Sequence, residues 1–185
     1  LTFASLTLGK REQKQPGLAS LYGRSVELSS LMPVLFAVYL ASVTGYGSHY
    51  LILFGFLFLL DAGLFAVAVA QRNEVLHLGG AISTLTIFTL WFSRSYDSSA
   101  WPTILALVAL FVIFHLAAPL IASWCGRRLE GPGCNAVFAA PLLLSAFTVL
   151  IALEPMAAAP AALFSVLFLL LAAIWGSSYL FMRVA

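Results

Sequence analysis

One stretch constrains this chain more than any other. Residues 50–70 read YLILFGFLFLLDAGLFAVAVA and carry a single charge, Asp61. At about 1.5 Å per residue a helix of this length spans about 30 Å, the thickness of a bilayer's hydrocarbon core. A soluble domain has too little interior to hide such a segment on every side, and this one has companions. Hydrophobic residues make up 62% of the chain and charged residues 9%, against about 25% charged in soluble domains. The spacing of apolar runs predicts an all-α, polytopic membrane protein. It has about six transmembrane helices in a bundle, at residues 29–44, 50–70, 75–92, 101–125, 136–153 and 158–180. The first is short and carries Pro33. The intervening breaks are short and polar or rich in Gly and Pro, as bundle turns are.

Charge placement predicts orientation. Lys10, Arg11, Lys14, Arg24, Arg72, Arg127, Arg128 and Arg183 fall on one side of an alternating six-helix path, and Arg94 alone falls on the other. Basic residues concentrate on the cytoplasmic side, so both ends are expected inside (N-in/C-in), with Arg72, Arg127 and Arg128 as topology anchors. Residues 1–28 form a polar cytoplasmic segment, with the tail of a preceding helix conceivable at 1–8. Residues 29–185 form the transmembrane domain. Tyr46, Tyr50, Trp91 and Trp101 fall at predicted outer ends and Trp124 at an inner end, where amphipathic rings favour the headgroup layer. The chain opens on Leu1 and stops at Ala185 in apolar sequence, so a piece of a longer reading frame is expected.

Asp61 is the residue most in need of an explanation. It lies about eleven residues into its helix, roughly 16 Å deep. A central Asp costs about 2.5–3.5 kcal/mol on the insertion scale, which the flanking Leu, Ile, Phe and Val residues can offset. Such an acid must face protein or water. It serves either as a proton or cation site or as a hydrogen-bonded lock on packing. His115, on a helix running the same way, lies within about 5 Å of the same depth and is the natural partner. Pro119, four residues on, deprives the His115 carbonyl of its helical N–H and predicts a kink there. Broken helices of this kind can line transport sites.

Other signals are weaker. Gly79 with Ser83, Gly80 with Thr84, and the row Gly55, Ala62, Ala66, Ala70 read as close-packing faces, since helix contacts in lipid use small residues. Thr44-Gly45-Tyr46-Gly47 reads as a Gly-rich outer turn. Cys125 and Cys134 flank a cytoplasmic loop, where neither a disulfide nor a zinc site is expected. No G-x-S-x-G, H-E-x-x-H or phosphate-binding Gly loop occurs, so the chain is not read as an enzyme. No metal or cofactor is expected. The net charge of +2 argues against nucleic acid. The bilayer is the expected partner, with a small molecule as a substrate if the protein transports, and the sequence assigns no oligomeric state.

Two stretches resemble known families. Leu59-Leu60-Asp61-Ala62-Gly63-Leu64, followed by Gln71-Arg72-Asn73-Glu74-Val75-Leu76-His77-Leu78, resembles a bacterial family of predicted multi-pass membrane proteins of unknown function. There a helix with Leu-Asp-Ala-Gly precedes a basic turn and an apolar helix ending near Trp, here Trp91; the likeness spans about residues 29–121. Residues 172–185, AAIWGSSYLFMRVA, are similar to the opening helix of EamA-type drug/metabolite transporters, although that helix runs from inside to outside and this one is predicted the other way. These resemblances imply a bacterial inner-membrane location. They leave two functions open, a structural or assembly component and a secondary transporter of small metabolites with Asp61 and His115 in its polar path.

Overall fold

The computed structural model describes residues 32–153, 158–167, 169, 170 and 173. Among them every regular element is helical. In chain order these are α1 (Met32–Ser42), α2 (Thr44–Gly47), α3 (Tyr50–Gln71), α4 (Val75–Ser95), α5 (Trp101–Trp124), α6 (Pro132–Asn135), α7 (Ala139–Ala152) and α8 (Ala158–Leu167). Single 3₁₀ turns at Ser98–Ala100 and Ala136–Phe138 lead into α5 and α7.

Three segments are long and apolar enough to cross a membrane: α3 with 22 residues, α4 with 21, and Ser98–Trp124, comprising the 3₁₀ turn and α5, with 27. Their surfaces agree with that length. Ile52 is 74% exposed and Leu59 71%, and Leu51, Ile82 and Ile113 are exposed too. Scattered single residues of this kind are ordinary, but rows of them along successive helices suit lipid better than water. Together these features point to a membrane location.

The other apolar helices are shorter. α1 begins with Pro33 in its first turn, where the missing N–H costs nothing, and ends at Val43, which is extended (φ −97°, ψ 113°). Helix was expected through residue 44. Instead Thr44–Gly47, read from sequence as a turn, forms a separate helical turn. α7 is preceded by α6 and a 3₁₀ turn, so regular α-helix starts at Ala139, three residues later than expected. Elsewhere, α4 runs on to Ser95 and α5 stops at Trp124. The segments 1–28 and 172–185, apart from residue 173, lie outside the described residues.

Packing joins α3 to α4 and α5 to α7 most extensively. Phe88 of α4 is the hub. Its ring centroid lies 4.2 Å from Phe54 of α3, 5.3 Å from Phe111 of α5 and 5.3 Å from Phe147 of α7. Edge and tilted geometries of this kind add about 0.5–1.5 kcal/mol per pair beyond burial. The buried side of α3 is Leu53, Phe54, Leu57, Asp61, Phe65 and Ala68, one helical stripe. It is not the small-residue row expected from sequence. Gly55, Ala66 and Ala70 are exposed, Ala62 is half-buried, and a methyl at Gly55 would touch nothing. Large rings fill this interface, so close backbone approach is not needed along α3.

Trp91 also departs from expectation. It is fully buried, packs edge-on to Phe54 at 5.2 Å, and its indole N–H donates to the Gly47 carbonyl at 2.8 Å. It tethers α2 to the end of α4. Trp124, by contrast, is 77% exposed.

At the opposite end, Glu74 ties two turns together. Its Oε1 accepts the Glu130 N–H at 2.9 Å and its Oε2 accepts the Gly133 N–H at 3.0 Å. A methyl at Gly133 would lie 2.8 Å from Oε2, so the close approach needs glycine. The α3–α4 turn and the α5–α6 loop therefore share one end of the bundle, carrying Arg72, Arg127 and Arg128 with them.

Candidate functional site

Asp61 lies midway along α3, among apolar residues. It is only 2% exposed. Opposite it on α4 stand Gly80 and Thr84. The short, tight α3–α4 turn sets this register and brings residues equally distant from it face to face. Thr84 Oγ1 donates to Asp61 Oδ2 at 2.5 Å. A methyl at Gly80 would lie 2.8 Å from Asp61 Oδ1 and 3.4 Å from Leu64 Cδ1. Glycine at 80 is what allows a carboxyl group to fit between these helices. Of the two small-residue pairs read on α4, Gly80 with Thr84 faces this site. Gly79 meets nothing, and Ser83 donates to its carbonyl at 2.7 Å.

His115 enters from α5. Its Nε2 lies 4.0 Å from Asp61 Oδ2, and the residue is wholly buried. The two residues paired by depth are thus brought together by the fold. Imidazole Nδ1 is 2.8 Å from the Phe111 carbonyl oxygen. A carbonyl can only accept, so Nδ1 carries the hydrogen and, in a neutral ring, Nε2 presents its lone pair toward the carboxyl group. Pro119 sits inside α5, which continues as helix on both sides of it to Trp124. The helix is not divided there.

His77, which sequence reasoning did not single out, completes the group. It is 2% exposed, and its ring stacks on His115 with centroids 5.9 Å apart and planes 21° from parallel. Phe65 and Phe114 pack edge-on to it at 4.9 and 6.4 Å. The signal was present as a second histidine in an apolar helix. It lay inside the helix expected at 75–92, two residues from its start, and was given no role.

Asp61 Oδ1, His77 Nε2 and His115 Nε2 make no hydrogen bond among the described residues. Each buried polar atom left so costs about 1–3 kcal/mol. These three belong to side chains from three helices that meet in one place. The described residues contain no group of three or more His, Cys, Asp or Glu arranged to hold a metal ion. What the arrangement can handle is a proton. One proton shared between carboxyl and imidazole keeps the pair neutral, as burial demands, and His115 Nε2 is turned to accept or return it.

Arg72, Arg127 and Arg128 lie away from this group, lining a surface cleft at the end of the bundle with Glu74 and Glu130. The fold and the site together define a helical protein with three helices long and apolar enough to cross a membrane and a buried acid–imidazole cluster. No protein-family model, curated protein or solved structure matches the chain.

Proposed function

We propose that this chain is a multi-pass protein of a bacterial inner membrane, with six spans and both ends on the basic side. Its Asp61–His115–His77 cluster is the proton-binding site of a secondary transporter. The observation that carries this reading is the meeting, on three helices, of a carboxyl oxygen and two imidazole nitrogens that have no hydrogen-bond partner among the described residues. Intramembrane ionisable residues are costly, face the bundle interior, and mark ion pathways and proton relays. A proton leaving Asp61 passes to His115 Nε2, and the stacked His77 ring is next in line toward the basic end. A small metabolite is the expected cargo, driven by the proton.

A second reading is supported by the Thr84–Asp61 bond and the tight fit at Gly80. There the carboxyl group locks α3 to α4, and the protein is a structural or assembly component of a larger membrane complex. The two readings part at Asp61→Asn. Asparagine keeps the shape and an acceptor for Thr84 but cannot release a proton at that position. For a transporter, Asp61→Asn reconstitutes normally. It loses the protonated-carboxyl band in infrared difference spectra after a pH jump, and it loses proton entry into vesicles loaded with a pH-sensitive dye under an imposed potential. If the band and the flux are the same in both proteins, the proton site is wrong. A fold that survives Asp61→Asn with flux intact, but fails on Asp61→Leu, which has no acceptor for Thr84, supports the lock.

A further inference from the structure

α3 and α5 run in the same direction, and they end in the same way. Beyond α5, the N–H of Arg127 bonds to the Ala122 carbonyl at 2.9 Å, with Gly126 at φ 71°. Beyond α3, the N–H of Asn73 bonds to the Ala68 carbonyl at 3.2 Å, with Arg72 at φ 59°. Both are left-handed helix terminations whose special position favours glycine. α5 has glycine there. α3 has arginine, and Arg72 is the one non-glycine residue with positive φ among those described. Sterically glycine would serve better there, and arginine instead sets a guanidinium at this end of α3.

Arg72 lines a cleft of about 320 Å³ together with Arg127, Arg128, Glu74 and Glu130. None of the three arginines forms an ion pair among the described residues. The Glu74 carboxylate is committed to the Glu130 and Gly133 amides, which also fixes the loop carrying Arg127 and Arg128 against Arg72. Trp124, at the last turn of α5 and two residues before Gly126 of the cleft lining, is 77% exposed. A bare indole of that kind suits the headgroup layer.

We propose that this cleft binds the phosphate of an anionic phospholipid headgroup, with Arg72, Arg127 and Arg128 as its cationic contacts. This rests on the membrane reading above but not on the proton site. Arginine forks match phosphate oxygens in pairs, and the cleft opens where spanning helices leave the hydrocarbon. A lipid therefore presents its phosphate there without leaving the bilayer.

The test uses the full chain in neutral detergent. Melting temperature is titrated with phosphatidylglycerol, phosphatidylcholine and inorganic phosphate, and retained lipid is read by native mass spectrometry. Phosphatidylglycerol is expected to raise the melting temperature saturably, and phosphatidylcholine not to. Arg72→Gly should melt at or above the parent in the absence of lipid, because it relieves the backbone. It should nonetheless weaken the phosphatidylglycerol response about fivefold, and Arg127→Gln with Arg128→Gln about 25-fold. Equal responses to the two lipids, or an Arg72→Gly protein that titrates like the parent, overturns the proposal. A shift saturated by inorganic phosphate alone overturns the lipid and leaves a site for a soluble anion. A chain that stays soluble without detergent refutes the membrane reading instead, so the two failures are distinguishable.

Discussion

Replacing Gly80 by alanine tests whether the carboxyl group of Asp61 fills the space between α3 and α4. The new Cβ would stand 2.8 Å from Asp61 Oδ1 and 3.4 Å from Leu64 Cδ1. Carbon and oxygen need a few tenths of an ångström more than the first distance, and Leu64 can give way more easily than the acid can. The acid is held on its other oxygen by Thr84 at 2.5 Å and flanked by His115 at 4.0 Å, so turning it aside breaks the threonine bond. Overpacking of this kind costs about 1–3 kcal/mol, and the lost bond adds about 0.5–1.5 kcal/mol. Against this, alanine gains about 1 kcal/mol over glycine in helix propensity. The net expectation is a destabilisation of about 1–3 kcal/mol.

Gly79 supplies the control, because a methyl there meets nothing; Gly79→Ala should be neutral or stabilise by up to about 1 kcal/mol. The decisive measurement is a double-mutant cycle in mixed micelles, unfolding Gly80→Ala, Asp61→Ala and the pair. With the carboxyl group gone, Gly80→Ala should become as harmless as Gly79→Ala, giving a coupling of about 1–3 kcal/mol. If Gly80→Ala stabilises the parent, or the coupling is zero, the residues are not in contact and the register of α3 against α4 is wrong.

Two further substitutions probe the rest of the frame. Glu74→Gln leaves one acceptor where two amides need one each, so the Glu130 and Gly133 N–H groups should exchange with solvent about tenfold faster, a local loss of about 1–2 kcal/mol; unchanged exchange at both would remove Glu74 as the tie between the two turns. Phe88→Ala empties the position where rings from four helices meet and should cost about 3 kcal/mol, the low end of the range for soluble cores because lipid tails are themselves apolar. Ile82→Ala, on the exposed side of the same helix, should cost little in micelles, and equal losses at both positions would contradict the burial pattern.

The three longest helices, with surfaces that suit a membrane, were legible in the chain before any packing was known. Three long apolar segments could be read because membrane insertion depends on length and average hydropathy, which are additive along the chain. The polar character of Asp61 and His115 was equally legible, since an ionisable group in such a segment stands out whatever surrounds it. Depth also follows from counting, which is why these two could be paired before any contact was known. Which way each helix faces does not follow from counting. α3 is apolar on nearly all sides, so no stripe distinguished Leu53, Phe54, Leu57 and Phe65 from the outward row of Gly55, Ala66 and Ala70. Only packing against α4 and α5 decided that. The same lack of contrast made Trp91 look like a surface anchor, when a buried indole with a carbonyl to donate to is equally consistent with its position in the chain. His77 joined the polar group because α3, α4 and α5 converge. Arg72 met Arg127 and Arg128 because one glutamate binds two turns. Such meetings join residues distant in the chain, His77 with His115 and Glu74 with Glu130, and nothing local in the sequence signals them.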